Sequence, residues 1–325
     1  MKKSCLKYTS RVFVLSACLA FGWWFFTGFN NTSSTYISPL PDFLTLGKNR
    51  QVTLLDLWLP FVQQSYGSGY DISQLTAKGV LMYDLTDEKT VFEKNAKTRM
   101  PMASLTKIMT AVVSLENKRE DDKYVVKAAN LVGEDSMGLT AGEVLTQEEL
   151  LYGLMLPSGN DAAEVLAGDY PKGGREEFVQ AMNDKVKSMG LIDTHFDNPS
   201  GLQGDGQQYT TAYDILVITR YGLERFPLLD KIVSTAEYVI PAGPTHKEYD
   251  LVNETNLLRT YPGVKGVKTG YTPEAGLCLV TYLDYHGHKI IGVILNSENR
   301  RGEMRELLDA TLRSLGIEPP ESGGS

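Results

Sequence analysis

A hydroxyl and an amine three residues apart open a strongly apolar helical stretch. In Ser104-Leu105-Thr106-Lys107, helical positions i and i+3 lie ~5 to 6 Å apart on one face, so the Lys107 amine can reach the Ser104 hydroxyl. Ile108, Met109, Val112 and Val113 follow, and a helix with so little polar surface must run through a core. Burial disfavours the ammonium form and lowers its pKa, which makes a lysine a general base able to activate a serine for nucleophilic attack. Two other groups carry residue types that could complete such a site. Pro157 closes a helical run and delivers Ser158-Gly159-Asn160, a loop that can present a hydroxyl and a carboxamide to a cleft. Lys268-Thr269-Gly270 falls in a run of strand character, where alternation aims Lys268 and Gly270 to one face and the missing side chain of Gly270 lets a substrate backbone approach.

Each group alone is weak. Ser4 to Lys7 repeats the first spacing near the amino terminus, and Ser297-Glu298-Asn299 imitates the second. An isolated match is more often a polar helix end or a turn rich in Ser, Gly and Asn. Their order, and their placement on a core helix, a loop and a strand, are far more specific than any one of them.

The elements that must position these groups are legible in outline. Residues 78–86 and 89–95 carry β-branched and aromatic residues on both sides of Asp87-Glu88 and predict an antiparallel hairpin. Residues 263–272, 275–284 and 289–295 predict three more strands, the last two joined by a turn at His286-Gly287. All five should form one sheet. Between them the chain is mostly helical, as where Thr146 and Glu149 make a capping box ahead of Leu150, Leu151 and Leu154. A last helix from about residue 303 to 315 puts Met304, Leu307, Leu308, Leu312 and Leu315 on one stripe and ends at Gly316. Strands thus bracket helices, which predicts an α+β fold with an antiparallel sheet packed with helices over residues 75–317, ahead of a short tail at 318–325.

Composition narrows the partners. The 325 residues carry 32 Lys and Arg against 40 Asp and Glu, a net charge of −8 that repels a polyanion, so no nucleic-acid partner is expected. His195, His246, His286 and His288 show no paired ligand spacing, and no metal or cofactor is predicted. Of three cysteines, Cys5 and Cys18 lie near the amino terminus and Cys278 reads as a small buried hydrophobe.

Residues 1–11 hold Lys2, Lys3, Lys7 and Arg11 and no acid, and residues 12–29 are uncharged and apolar. As a helix these span about 27 Å, close to the ~30 Å of a bilayer's hydrocarbon core. The positive flank predicts a cytoplasmic tail at 1–11, a single transmembrane signal-anchor at 12–29, and an extracytoplasmic body behind a stalk and linker at 30–74. Cleavage, or lipidation at Cys18 after Leu15-Ser16-Ala17, are the alternatives. The retained anchor is favoured because the apolar run continues well past Cys18 and no small-x-small site follows Phe29.

The three motifs in this order form the set known from penicillin-binding proteins and class A β-lactamases. The body resembles the low-molecular-mass penicillin-binding proteins, the serine D-alanyl-D-alanine carboxypeptidases. The likeness extends through Met137-Gly138-Leu139, LLYGLMLPSGNDAA at 150–163, THFDNPSGL at 194–202, NETNLL at 253–258 and GVKGVKTGYT at 263–272. It implies the penicillin-binding-protein/β-lactamase-like transpeptidase fold and acyl transfer through a serine ester. In the implied roles Ser104 is the nucleophile, Lys107 its base, Ser158 a proton relay and Asn160 a holder of the substrate's peptide group. Lys268 keeps the site positive, Thr269 binds the substrate's terminal carboxylate, and Gly270 and Tyr271 complete the substrate-binding strand. The backbone N–H groups of Ser104 and Tyr271 would form the oxyanion hole. The implied partners are peptidoglycan stem peptides, β-lactams as covalent inhibitors, and the cytoplasmic membrane. Ser200 departs from the histidine that relatives often carry there. No glutamate lies in residues 193–207 to serve as a class A β-lactamase base. A D,D-endopeptidase cutting crosslinks, or a β-lactam sensor without turnover, are the alternative readings.

Overall fold

A computed structural model describes residues 70–203 and 207–321. The tail, the apolar segment at 12–29 and nearly all of the expected stalk lie outside the described residues. Among the described residues no helix is long and apolar enough to cross a membrane.

One antiparallel sheet organises the chain. Its strands are β1 (Gly79–Asp84), β2 (Lys89–Lys94), β7 (Val264–Thr272), β8 (Gly276–Tyr285) and β9 (His288–Ser297), in the order β2-β1-β9-β8-β7. The first hairpin joins the carboxy-terminal strands through β1 and β9, with Leu81 opposite Val293 and Tyr83 opposite Ile291. Alternation then divides the side chains between two faces. Leu81, Tyr83, Val280, Ile291 and Val293 enter the larger core, while Val80, Met82, Leu279, Ile290 and Ile294 enter a smaller one. An apolar residue at every position is what a sheet covered on both faces requires.

The helices fill those faces. On the larger side lie α1 (Thr106–Glu116), α2 (Gln147–Met155), α3 (Asn160–Gly168), α4 (Arg175–Ser188), α5 (Ala212–Arg225) and α6 (Pro227–Val233). Every residue of α1 from Thr106 to Ser114 is buried, so the helix does run through the core. Thr146 caps α2 by accepting from the Glu149 N–H while Glu149 returns to the Thr146 N–H, the expected reciprocal box. After the short α7 (Leu257–Thr260), α8 (Arg300–Ser314) covers the smaller core with Met304, Leu307, Leu308 and Leu312. It begins three residues earlier than its apolar stripe implies, because the Asn299 side chain accepts from the Gly302 N–H and caps it there.

Two features were not anticipated. Two ribbons, β3 (Tyr124–Val125) with β4 (Val144–Leu145) and β5 (Glu237–Ile240) with β6 (Tyr249–Val252), interrupt the helical stretch. The packed body also starts before residue 75: Tyr70 meets Phe92 edge to face at 5.9 Å and its hydroxyl donates to Glu306 at 2.7 Å. Residues 70–74 therefore belong to the body and not to a linker, since an aromatic ring and its hydroxyl are both satisfied there.

Candidate active site

Ser104 lies in a single 3-10 turn, Ala103–Leu105, that runs into α1. Ala103 takes φ +49°, a left-handed conformation that costs a residue with a Cβ on the order of 1 to 2 kcal/mol. Such strain concentrates at sites where a side chain must be aimed. One turn later Lys107 is fully buried, and its Nζ lies 2.9 Å from Ser104 Oγ.

Two oxygens fix the rest of the amine. Lys107 Nζ is 2.6 Å from Asn160 Oδ1 and 2.6 Å from the Ser200 carbonyl oxygen. Both can only accept. A neutral amine has two N–H bonds and one lone pair, so donating to these oxygens leaves the lone pair for the Ser104 O–H. Burial, and after it the Lys268 charge, hold the Lys107 pKa well below its ordinary 10.5 and favour this neutral form. The pieces of a general base are therefore assembled without histidine.

Each partner is itself held in place. Pro157 delivers Ser158 in a left-handed conformation, φ +65°, buried at the cleft. Asn160 is the first residue of α3 rather than a loop residue, and its N–H donates to the Asp135 carbonyl at 2.7 Å. The neighbouring Asp161 carboxylate accepts from the Ser136 hydroxyl and from the N–H groups of Met137, Gly138 and Leu139, which pins that turn against α3. On the other side, Thr110 donates to the Pro199 carbonyl at 2.6 Å, so α1 grips the 198–201 turn twice. The Ser200 hydroxyl turns to Asn198 Oδ1, and only its carbonyl serves Lys107.

The third motif occupies β7, an edge strand paired only with β8 among the described residues. Lys268 is buried, and Gly270 backs onto the Ser104 turn: a Cβ there would stand 3.2 Å from the Ser104 nitrogen and 3.1 Å from the Met102 carbonyl oxygen. The two residues share a face, as alternation requires. The outer edge of β7 leaves backbone groups to which an extended peptide can add as a further strand. Tyr271 follows with 60% of its surface exposed, and Thr269 Oγ1 donates to Glu254 Oε2 at 3.0 Å.

Ser104, Lys107 and Asn160 are thus joined by hydrogen bonds through the lysine. Among the described residues no hydrogen bond links Ser158 or Lys268 to them, and Lys268 acts on Lys107 by charge. Burial, with the Arg300 charge adding to it, lowers the Lys268 pKa to about 8, against the upward pull of Glu254 and Asp135. Sequence reasoning gave no role to Asp135, Glu254 or Arg300: Asp135 and Arg300 lie outside the motifs, and Glu254 lies in the NETNLL stretch, where only a likeness was noted. Arg300 donates to the Gly270 carbonyl at 2.7 Å and braces the strand from α8. Cys278 is buried opposite Gly270 in β8, and burial pushes its thiol up to about 11, so it is a packing residue there.

These directions make a pH prediction. Neutral Lys107 is favoured as pH rises past its lowered pKa, while the Lys268 charge is lost as pH rises through about 8. Acylation by a labelled penicillin should climb from acid pH and decline on the alkaline side near pH 8. A rate that keeps rising to about pH 10 would show that the Lys268 charge does not help acylation.

Comparison with known proteins shows the family. Residues 66–299 match the model of peptidase family S11, D-alanyl-D-alanine carboxypeptidase. The chain is 34% identical over 242 residues to D-alanyl-D-alanine carboxypeptidase DacF of Bacillus subtilis, covering 72% of this chain but 61% of that relative's length. The crystal structure of the Streptomyces K15 DD-transpeptidase superposes with a TM-score of 0.69 at 31% identity, covering 74% of this chain and 98% of that one. Penicillin-binding protein D2 of Listeria monocytogenes, in an ampicillin-bound form, superposes with a TM-score of 0.66 at 26% identity, over 75% of this chain and all of that one. By the match over residues 66–299, the chain belongs to the D-alanyl-D-alanine carboxypeptidase family, peptidase family S11.

Proposed function

We propose that the protein is a serine D-alanyl-D-alanine carboxypeptidase that removes the terminal D-alanine of peptidoglycan stem peptides. The observation that carries this reading is the buried Lys107 amine, whose pKa burial lowers, held 2.9 Å from the Ser104 hydroxyl by two acceptor oxygens. Ser104 Oγ attacks the carbonyl carbon of the penultimate D-alanine while Lys107 takes the hydroxyl proton. The developing oxyanion is met by the N–H groups of Ser104 and Tyr271, donors of a kind worth roughly 3 to 4 kcal/mol of barrier each. Collapse breaks the C–N bond, the Ser158 hydroxyl passes a proton to the departing D-alanine nitrogen, and water then hydrolyses the ester. Asn160 holds the substrate's peptide group, Lys268 supplies positive potential, and the Thr269 hydroxyl receives the terminal carboxylate. β-Lactams acylate the same serine.

The test is mass spectrometry of products from a muropeptide ending in D-Ala-D-Ala, run beside a crosslinked dimer. Loss of one alanine is expected. Cleavage of the dimer in preference to the monomer would favour the endopeptidase, and absence of turnover after acylation would favour a sensor.

The same reading places the body outside the cytoplasmic membrane, tethered by residues 12–29 with the amino terminus inside. Support comes from the four cations ahead of that uncharged run and from a substrate class found outside the cell. The intact chain should fractionate with membranes and lose its body to external protease. A mature protein beginning at a lipid-bearing Cys18 would refute the retained anchor.

A further inference from the structure

The hydroxyl assigned to the substrate's carboxylate is already holding one. Thr269 is buried at the cleft, and its O–H donates to Glu254 Oε2 at 3.0 Å. A threonine has one O–H to give, so the same hydroxyl cannot serve two carboxylates at once. The charges that would attract a chain end act on Glu254 as well: Lys268, Arg300 and Lys107 all feel its carboxylate.

Backbone and side chain of Glu254 differ in freedom. Its N–H donates to the Leu156 carbonyl at 3.2 Å. The buried Asn253 before it spans to the carbonyls of Val233 and Thr235 and accepts from the Thr255 N–H. Tyr238 on β5 stacks on Tyr152 of α2 at 3.6 Å and fixes the ribbon that leads to this turn. Glu254 itself is exposed, so its side chain can rotate into solvent without moving that anchored backbone.

We propose that Glu254 is a built-in occupant of the carboxylate subsite, a specificity-determining residue that competes with the substrate's terminal carboxylate for the Thr269 hydroxyl. The proposal rests on the assignment of Thr269 to carboxylate binding made above. A substrate ending in a free carboxylate must displace the glutamate from the hydroxyl and bind beside a like charge, both of which cost affinity. A chain without that charge meets no such competitor. Glu254 therefore lowers the enzyme's preference for free chain ends below what Thr269, Lys268 and Arg300 would otherwise give.

The test compares kcat/KM on an acylated D-Ala-D-Ala peptide with kcat/KM on the same peptide ending in a carboxamide, using the full chain. Glu254→Gln and Glu254→Ala should each raise the ratio of acid to amide by about three- to tenfold, the scale of a partly screened charge interaction. A glutamate that only steadied Thr269 or Lys268 would, on removal, depress both substrates and leave the ratio unchanged or lower it, and that result overturns the proposal. Thr269→Val is the control for the underlying assignment. It should reduce turnover of the acid by about ten- to a hundredfold, and the amide much less. If Thr269→Val spares the acid, the carboxylate assignment itself fails. If Thr269→Val behaves as expected while neither Glu254 variant raises the ratio, only the competitor is rejected.

Discussion

Ser104→Ala should abolish covalent labelling by a fluorescent penicillin, and Lys107→Ala should slow it by about a thousandfold or more while leaving far-UV circular dichroism unchanged. The expectation follows from the hydrogen-bond count at the lysine and not from the motif alone. Asn160 Oδ1 and the Ser200 carbonyl consume the two N–H bonds of a neutral amine, so the lone pair is directed at Ser104 Oγ. Removing either partner disables the same step, so the double variant should show the same absence of label as the Ser104 variant alone. Ser4→Ala, which alters the other Ser-x-x-Lys spacing, should label normally. Retained label in Ser104→Ala would place the nucleophile elsewhere. Near-normal acylation of Lys107→Ala would require another base, and no other buried amine touches Ser104 Oγ among the described residues.

How much of this could be read in the residues depends on what kind of group carries it. Ser104 and Lys107 share a helix, so their meeting follows from helical geometry and is visible in spacing. Lys268 and Gly270 share a strand face for an equally local reason, and Gly270 indeed backs onto the Ser104 nitrogen. The five strands were legible because a sheet buried on both faces needs unbroken β-branched and aromatic runs, and residues 276–295 supply them. Contacts made by backbone atoms leave no such trace. The Ser200 carbonyl holds Lys107, the Asp135 carbonyl holds the Asn160 N–H, and neither role depends on the side chain that the sequence displays. Asn160 was expected in a loop because Ser158-Gly159 reads as a turn, yet Ser158 takes up the reversal alone and lets the helix start two residues on. Glu254 and Arg300 reach the site from ribbon and helix ends that only the tertiary fold brings to β7. The short ribbons escaped notice because two- to four-residue strands are too brief to show a period.

The second large effect is expected at a residue with no side chain. Gly201 follows the carbonyl that holds Lys107, and it takes φ +87°, a conformation that L residues with a Cβ rarely adopt. A Cβ built there would stand 2.1 Å from the Ala103 carbonyl oxygen, 2.5 Å from its carbon and 3.0 Å from the Ser104 nitrogen. All three are backbone atoms of the nucleophile turn, so no flexible side chain can swing aside to relieve the overlap. Either the 198–201 turn must retreat, taking its carbonyl from Lys107, or Ala103 and Ser104 must shift relative to β7. Displacements near 1 Å at reacting groups cost about a hundredfold in rate, and Gly201→Ala should lose at least that in penicillin acylation. Overpacking against backbone adds about 1 to 3 kcal/mol to the left-handed penalty, so the melting temperature should fall by roughly 5 °C or more. Gly190 separates the two contributions: it has φ +75° at the end of α4, and an added Cβ would meet nothing within 4 Å. Gly190→Ala should therefore show a smaller loss of stability and acylate at the parent rate. Should Gly201→Ala acylate as fast as the parent, the 198–201 turn would not be what holds the base and nucleophile in register, and the support assigned to the Ser200 carbonyl would have to come from Asn160 alone.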